Sequence, residues 1–278
     1  MTTEIKNQIV QELENYLELH KMSANEFVKK SGINEAYVSN LRNKSFKIGA
    51  TEIAERWFEK VAQFIGLALK KSYWTPVQTN QMTAMMPILE DSKEHGLTNV
   101  VIGETGSGKT FNAELFAKAN PLDTFIVKVG SSDNLSDLID KILEGAKIPH
   151  SKTKSKNING IVKFMQKQKF DGLKPQLIFD ECEYMKQPTL GMMKEFYDDL
   201  KGHCSIVLIG TDELIDNLDK LRKRKKPGMR QFYRRIKFGI RVLPNIDKNY
   251  RGFLENIQDK GLLKFLKSNC ENYGELHD

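Results

Sequence analysis

A glycine-rich segment in the first half of the chain has the residue types and spacing that bind a nucleoside triphosphate. An apolar run leads into Gly103-Glu104-Thr105-Gly106-Ser107-Gly108-Lys109-Thr110. This is the P-loop pattern G-x-x-x-x-G-K-[ST], in which backbone N–H groups surround phosphate oxygens. Its glycines allow backbone angles that side chains resist, and the helix that follows points its positive dipole end at the anion. We predict that ATP is bound by Gly103, Glu104, Thr105, Gly106, Ser107, Gly108, Lys109, Thr110 and Phe111.

Two charged or polar groups of this loop have separate tasks in nucleotide chemistry. Lys109 supplies a positive charge to the β- and γ-phosphates, and Thr110 offers its hydroxyl to Mg²⁺. A second apolar run, 176–179, ends in Asp180-Glu181, the pattern of a Walker B element. We predict that Asp180 holds the Mg²⁺ ion together with Thr110, and that Glu181 activates the attacking water.

A third apolar run, 205–209, ends in Gly210-Thr211. The hydroxyl of Thr211 is suited to contact the γ-phosphate or the attacking water. A nucleotide kinase needs neither the acidic pair nor this polar strand end, so the combination favours hydrolysis coupled to motion.

The order of these motifs resembles that of the AAA+ ATPases over about residues 75 to 245. The resemblance implies that Thr211 is sensor 1 and that an arginine finger acts on the γ-phosphate of a neighbouring subunit. Arg235 is the first choice for the finger and Arg234 the second. Both also fit a solvated or DNA-facing surface, because residues 220–237 are rich in lysine and arginine and contain no acidic residue.

Composition places the chain among ordinary globular proteins. Its 278 residues are 40% hydrophobic and 28% charged, enough for one medium domain and a small one. No apolar run reaches the length of a membrane span and the N-terminus does not read as a signal peptide, so we expect a cytoplasmic protein without membrane contact. The spacing of Cys182, Cys204 and Cys270 gives no zinc site.

The formal net charge of +7 is concentrated in two regions. Basic loops of this kind neutralise nucleic-acid phosphates and give affinity without sequence choice. The predicted DNA contacts in these regions are Lys152, Lys154, Lys156, Arg222, Lys223, Arg224 and Lys225. The alternative is a solvated charged face.

The N-terminal region contains a pattern of two short helices around a tight turn. Ser23 with Glu26 forms a capping box, Gly32 permits the turn, and Glu35 to Lys44 continues at helical spacing. The pattern resembles the helix-turn-helix of lambda-repressor-like domains, whose second helix enters the major groove. The resemblance implies DNA contacts by Ser39, Asn40 and Arg42. The alternative is a helical protein-interaction module that keeps this fold without binding DNA. Tyr37 or Phe46 also fits a core position rather than a contact.

The motifs and the alternation of apolar runs with helical patterns predict an α/β fold with a P-loop AAA+ doubly wound parallel sheet, preceded by a small all-α helix-turn-helix domain. We divide the chain into a helix-turn-helix domain (1–71), a linker (72–78), the ATPase domain (79–245) and a short helical C-terminal tail (246–278). Strands are expected near 98–102, 124–129, 176–180, 205–209 and 238–242. A helix over 79–94 is expected to be interrupted or bent at Pro87.

The whole arrangement resembles transposition ATPases of the phage Mu B type, a family of transposon target selectors. That resemblance implies an ATP-dependent homo-oligomer, a helical filament or a ring, on double-stranded DNA. It also implies delivery of target DNA to a transposase, which stimulates hydrolysis. The chain departs from the broader AAA+ pattern after Val242, where no lid domain is evident and Arg251 is the only sensor 2 candidate.

Two other classes fit the same motifs. A replicative helicase loader is also a small AAA+ ATPase on DNA, with a preference for single strands. An ATP-gated transcription regulator uses its helix-turn-helix on a specific, palindromic site.

Overall fold

The computed structural model describes residues 3–49, 51–67, 76–255, 257 and 259–277. The chain divides into two compact units, residues 1–73 and 74–278. Residues 72–75 of the predicted linker lie outside the described residues.

In its described residues, the first unit contains four helices and a small hairpin. Ser23 caps its second helix through the predicted capping box with Glu26, and Gly32 ends that helix at φ 65°. The elements are α1 Thr3–Leu19, α2 Ala24–Ser31, α3 Glu35–Arg42, β1 Lys47–Ile48, β2 Thr51–Glu52 and α4 Glu55–Phe64. The predicted helix-turn-helix segment is therefore two capped helices, α2 and α3.

The core of this unit is built from the inward faces of its helices. Phe27, Ile33 and Val38 are buried together with Leu41 and Phe58. Tyr37 is half-buried, and its ring stacks on Trp57 at a centroid distance of 4.6 Å. Tyr37 is thus a packing residue, which is the alternative that the sequence left open.

The hairpin is an addition to the predicted all-α arrangement. Lys47 pairs with Glu52 and Ile48 pairs with Thr51, in antiparallel register. Gly49 permits the turn because its φ is 60°. The hairpin separates α3 from α4.

The second unit contains the predicted parallel sheet. Its strands are β3 Thr98–Ile102, β4 Thr124–Lys128, β5 Gln176–Asp180, β6 Ser205–Gly210 and β7 Ile240–Val242. They lie in the order β4-β5-β6-β3-β7, and every pairing is parallel. The carboxyl ends of β3, β5 and β6 therefore meet at one edge.

Helices cover both faces of this sheet, which confirms the predicted doubly wound α/β class. The helices are α5 Asn80–His95, α6 Lys109–Ala119, α7 Leu135–Gly145, α8 Lys154–Phe170, α9 Gln187–Leu200, α10 Asp212–Lys223 and α11 Met229–Ile236. Val101 and Ile178 face α5 and α6, whereas Val100 and Phe179 face the other layer. Burial on both sides explains why the strands are apolar without alternation.

Two elements differ from the predicted pattern. α11 occupies part of the basic run, because Met229, Phe232 and Ile236 form a buried stripe that the surrounding cations obscure in the sequence. This helix shortens the last strand to Ile240–Val242. α5 continues through Pro87, held on either side by the buried Met85 and Leu89.

The C-terminal part of the chain adds α12 Lys260–Asn269 and α13 Tyr273–His277. Its own small core contains Ile246, Tyr250, Leu254 and Tyr273. Tyr250 is fully buried, and its hydroxyl donates to the carbonyl of Cys270 at 2.5 Å. The segment from Ile246 to His277 is called the C-terminal segment below.

Candidate nucleotide-binding site

The P-loop joins β3 to α6 at the carboxyl edge of the sheet. Gly106 and Gly108 have φ values of 68° and 83°, which only glycine adopts without strain. A Cβ on Gly103 would lie 3.2 Å from Leu243 Cδ1, so any other residue there would require a small shift of that side chain. The backbone thus adopts the open loop that a phosphate-binding site requires.

Lys109 is almost buried in this loop, with 9% of its surface exposed. Its ammonium donates to the carbonyl oxygens of Gly103 at 2.9 Å and Glu104 at 2.7 Å. Burial lowers the pKa of Lys109, although Glu183, Asp180 and Glu104 act against that shift. The lysine is therefore held beside the loop by neutral acceptors that a phosphate can replace.

Thr110 and Asp180 come together although they are distant in sequence. The Thr110 hydroxyl donates to Asp180 Oδ2 at 2.7 Å. Asp180 is the last residue of β5 and is 3% exposed. A hydroxyl and a buried carboxylate are oxygen ligands that suit Mg²⁺, which keeps several waters and binds phosphate oxygens.

Thr110 and Asp180 supply one hydroxyl and one carboxylate to the predicted metal site. No cluster of three or more His, Cys, Asp or Glu side chains suitable for a metal occurs in the described part of the chain.

Glu181 lies next to this pair in a left-handed conformation, φ 58°. Its Oε1 is 3.0 Å from the ammonium of Lys128, the last residue of β4. The hydrogen bond to Glu181 raises the pKa of Lys128. The sequence analysis did not identify Lys128, although the pairing of β4 with β5 places it opposite Asp180.

Thr211 and Glu183 lie on the neighbouring side. The Thr211 hydroxyl is buried and has no hydrogen-bond partner among the described residues. The Thr211 N–H points to Glu183 Oε2 at 3.4 Å. Glu183 was also missed, although the run Asp-Glu-Cys-Glu hints at a second carboxylate two residues after Glu181.

The P-loop, the three carboxylates and Thr211 line one cavity of about 430 Å³. Its walls include Thr105, Gly106, Ser107, Gly108, Lys109, Thr110, Phe111, Asp180, Glu181, Glu183, Gly210 and Thr211. Gly103 and Glu104 accept hydrogen bonds from Lys109 but do not themselves line the cavity. Residues from two further segments, 76–79 and 253–277, complete the cavity.

The two finger candidates lie on α11, away from the cavity lining. Arg235 makes two hydrogen bonds to Asp198, at 2.6 and 3.0 Å, and its guanidinium faces the ring of Tyr197. Arg234 is exposed, and its side chain has no ion pair or hydrogen bond within the described residues. Arg234 is thus the more available cation of the two.

The predicted DNA contacts of the helix-turn-helix differ in availability. Ser39 is exposed. Asn40 is half-buried and donates to the carbonyl of Ala36 at 2.7 Å. Arg42 forms an ion pair with Glu14, with Nε to Oε1 at 2.7 Å. An Arg42 contact to a phosphate therefore has to compete with Glu14.

The predicted DNA contacts of the second unit lie at the start of α8 and the end of α10. Lys152, Lys154, Lys156, Lys223, Arg224 and Lys225 are exposed. Arg222 instead pairs with Asp219 at 3.0 Å and lies over the ring of Tyr233.

Comparison with known proteins identifies the central part of the chain. Residues 92–218, which hold the P-loop, Asp180 and Glu181, match the family model of an AAA domain. No curated protein matches. The match does not distinguish the phage Mu B type from other branches, and that resemblance stays a prediction.

Several solved structures share part of the fold. The ORC2 protein of Aeropyrum pernix, in its ADPNP–ADP complexes, is 15% identical over 65% of this chain and 52% of that chain, with a TM-score of 0.46. Cdc6p from Pyrobaculum aerophilum is 14% identical over 65% and 51%, with a TM-score of 0.47. Drosophila ORC bound to GC-rich DNA and Cdc6 is 11% identical over 71% and 72%, with a TM-score of 0.34. The chain spans about half the length of the first two proteins.

One finding concerns membranes. In the described ranges, no helix combines the length and the apolar character of a membrane-spanning segment.

Proposed function

We propose that this protein is an ATPase that binds duplex DNA with little sequence preference, oligomerises on it with ATP bound, and captures target DNA for a transposase, which it activates. The observation that carries the ATPase part is the Thr110–Asp180 contact of 2.7 Å at the mouth of a P-loop. It joins the two predicted metal-binding groups within an AAA domain.

The phosphate end of the cavity supports a division of tasks. Lys109 leaves the carbonyls of Gly103 and Glu104 and binds the β- and γ-phosphates, while the loop N–H groups surround them. Thr110 and Asp180 hold Mg²⁺, which supplies neutralisation of charge on the β- and γ-oxygens when bound. Glu181 accepts the proton of the attacking water, and Thr211 orients that water or the γ-phosphate.

Exposed cations support the DNA part of the proposal. Lys223, Arg224 and Lys225 are consecutive at the end of α10, and Lys152, Lys154 and Lys156 are grouped at the start of α8. Lysine and arginine without a fixed partner neutralise phosphates and give affinity that is independent of sequence. The capped pair of helices α2 and α3 supplies a second predicted contact.

An arginine of α11 completes the site of a neighbouring subunit in this scheme. Arg235 was the first choice from the sequence, but its bidentate pair with Asp198 favours Arg234 for this role. The γ-phosphate then links two subunits, and hydrolysis weakens the oligomer.

The first test is negative-stain electron microscopy of the purified protein with random-sequence duplex DNA. Samples contain ATP, a nonhydrolysable analogue or no nucleotide, and the Lys109→Ala variant is the control. We expect nucleotide-dependent filaments or rings along the duplex with the wild type and none with the variant. Footprinting separates the other classes: a protected palindrome would support a transcription regulator, and preference for single strands would support a helicase loader.

A further inference from the structure

The strands of the sheet all begin at the edge opposite the nucleotide site, because every pairing is parallel. Four exposed apolar side chains lie at this edge. Leu122 precedes β4 by two residues, Leu97 precedes β3 by one, and Phe238 precedes β7 by two. Phe170 is the last residue of α8, in the connection to β5. We call Leu97, Leu122, Phe170 and Phe238 the amino-edge row.

Contacts at one end of the amino-edge row join its members. Gln168 of α8 donates from Nε2 to the carbonyl of Leu122 at 3.3 Å. Phe170 and Gly202 line the same surface cavity of about 530 Å³. A Cβ on Gly96, in the turn before β3, would lie 3.4 Å from the backbone of Gly202, which precedes β6. The connections that lead into neighbouring strands therefore lie side by side.

The other end of the row is fixed in a similar way. The Ile206 N–H donates to the carbonyl of Leu97 at 3.1 Å. A Cβ on Gly239 would clash with the carbonyl oxygen of Thr98, so the segment that carries Phe238 lies against the start of β3. Neighbouring strands lie about 4.8 Å apart, and four such spacings separate β4 from β7, so the row is about 19 Å long.

Packing within the fold does not account for the apolar character of the row. Leu122, Phe170 and Phe238 are 72, 90 and 79% exposed, and no member of the row belongs to a described core cluster. A buried aromatic side chain covers about 150–250 Å², so the two phenylalanine rings alone present roughly 300 Å² of apolar surface. Exposed apolar surface of about 300 to 600 Å² on one protein often marks an interaction site.

The charges around the row are mainly positive. Five connections lead into the strands, and together they contain seven lysines and three acidic residues. These connections are residues 93–97, 118–123, 167–175, 201–204 and 237–239. Complementary charge across an interface selects the partner, so this edge favours an acidic one.

Pairing within the chain increases this imbalance. Two of the three acidic residues are already engaged, Asp123 by Lys93 and Glu94 by Lys174. Asp171 is exposed. The lysines of these connections that have no ion pair within the described residues are Lys118, Lys167, Lys169, Lys201 and Lys237. The edge therefore carries an excess of unpaired positive charge beside its apolar side chains.

This combination distinguishes between three kinds of occupant. DNA would use the lysines but not Leu97 and Leu122, because a leucine has no ring on which a base stacks. A second copy of the same edge would bring two surfaces of like charge together, which is unfavourable. A protein segment with both apolar side chains and carboxylates uses every part of the edge.

We propose that the amino-edge row binds an acidic, apolar segment of a partner protein. The proposed function requires contact with a partner protein, and neither the nucleotide site nor the basic clusters supply an apolar surface for it. The inference goes beyond that function, because it assigns the surface and the chemistry of the segment that fits it. The row lies at the edge of the sheet opposite the P-loop, so the segment binds without covering the nucleotide site.

The test is fluorescence anisotropy of the full chain with labelled synthetic peptides. The probe has leucine and glutamate at helical spacing over about 16 residues, roughly 24 Å as a helix, which matches the length of the row. In one comparison peptide lysine replaces glutamate, and in another serine replaces leucine. We expect the wild type to bind the leucine–glutamate peptide at least about tenfold more tightly than either comparison peptide, since only the first has both features.

Two double variants test the surface itself. Leu122→Ser with Phe170→Ser should weaken binding of the leucine–glutamate peptide about tenfold, because apolar anchors are removed. Lys169→Glu with Lys201→Glu should weaken it by a similar factor, and added salt should weaken binding to the wild type. The matched control is Phe265→Ser, because Phe265 is 60% exposed on α12 and lies outside the row; it should bind as the wild type does. If the apolar variant has a lowered melting temperature, the lysine variant decides.

Several outcomes would overturn the proposal. The first is a wild type that does not bind the leucine–glutamate peptide, or binds the leucine–lysine peptide equally well. The second is unchanged affinity in the double variants. If the apolar variant instead loses affinity for single-stranded DNA, the row is a nucleic-acid surface. If it loses a self-association that sedimentation velocity detects in the wild type, the occupant is a second copy of this chain. None of these outcomes affects the proposed ATPase function, because no member of the row lines the nucleotide cavity.

Discussion

Lys128 Nζ lies 3.0 Å from Glu181 Oε1, so the carboxylate proposed to activate water is paired with a cation from the neighbouring strand. As the base, Glu181 would need an oxygen that faces the water, and the ion pair holds Oε1 toward Lys128 instead. The ion pair between Lys128 and Glu181 therefore competes with an orientation of Glu181 toward the attacking water.

We expect Lys128→Met to raise the basal rate of ATP hydrolysis by about two- to fivefold, the value of a partly exposed ion pair. Phosphate release without DNA measures this rate. Lys201→Met is the matched control, since Lys201 is exposed and has no ion pair within the described residues. A rate that is unchanged or lower in Lys128→Met would show that the pair does not restrain Glu181.

Glu181 and Glu183 both line the cavity and give a matched pair of variants. We expect Glu181→Gln to bind ATP normally and to hydrolyse it about 10²- to 10⁴-fold more slowly, the usual value of a general base. Glu183→Gln should slow hydrolysis less than about tenfold, because Glu183 faces the Thr211 N–H. Single-turnover kinetics together with nucleotide titration separate chemistry from binding. The reverse ranking would make Glu183 the base.

Arg234 and Arg235 of α11 should separate stability from catalysis. Arg235→Ala removes the bidentate interaction with Asp198 and should lower the free energy of unfolding by about 1 kcal/mol. Arg234→Ala should leave stability unchanged and lower the ATPase rate only in the oligomer. Thermal unfolding and ATPase assays at several protein concentrations test this. Oligomer activity that survives in Arg234→Ala but not in Arg235→Ala would restore Arg235 as the finger.

The stability that the Arg235–Asp198 ion pair contributes should depend on pH, because Asp198 titrates. Burial acts to raise its pKa, but hydrogen bonds from Arg235 and Lys194 outweigh burial and hold the pKa of Asp198 below its ordinary value of 3.8. A carboxyl with a lowered folded-state pKa stabilises the fold above pH 3.8, and that stability is lost as the pH falls through the folded-state value. Asp198→Asn should therefore show a flatter loss of melting temperature than the wild type below about pH 4. Parallel curves for the two proteins would contradict this assignment.

The basic end of α10 should control non-specific DNA affinity. Replacing Lys223, Arg224 and Lys225 by glutamine should weaken duplex binding for every sequence. It should also reduce the slope of log affinity against log salt by roughly 0.9 for each DNA phosphate that these side chains no longer neutralise. Fluorescence anisotropy at several salt concentrations measures both. The same change at Lys152, Lys154 and Lys156 shows whether α8 contributes, and an unaltered salt slope in both triple variants would remove these clusters from the DNA surface.

The phosphate end of the site could be predicted because each of its parts is local in sequence. The P-loop and the run through Asp180 and Glu181 each combine a buried strand with the polar residues at its tip, and parallel strands bring such tips together. The apolar runs likewise predicted all five strands, and the AAA match confirms the class.

The parts that could not be predicted depend on contacts between distant segments. The sequence does not distinguish Lys128 from the other lysines, because its position opposite Asp180 depends on the register of β4 and β5. The contact of Tyr273 with Gly106 has no signature in either local sequence. α11 was missed for a different reason, because its buried stripe is interleaved with cations that suggest a solvated run.

The buried amide of Gln81 also constrains how this chain can vary. Its three hydrogen bonds go to residues after β7, namely Pro244, Asn245 and Tyr273, so the polar side chain is fully satisfied only when the chain that follows β7 is present. A related protein that ends soon after its last strand would carry an uncompensated polar group at this position, at a cost of about 1 to 3 kcal/mol. Among relatives, glutamine at position 81 and tyrosine at position 273 should therefore be gained and lost together, and shorter chains should have an aliphatic residue in place of the glutamine.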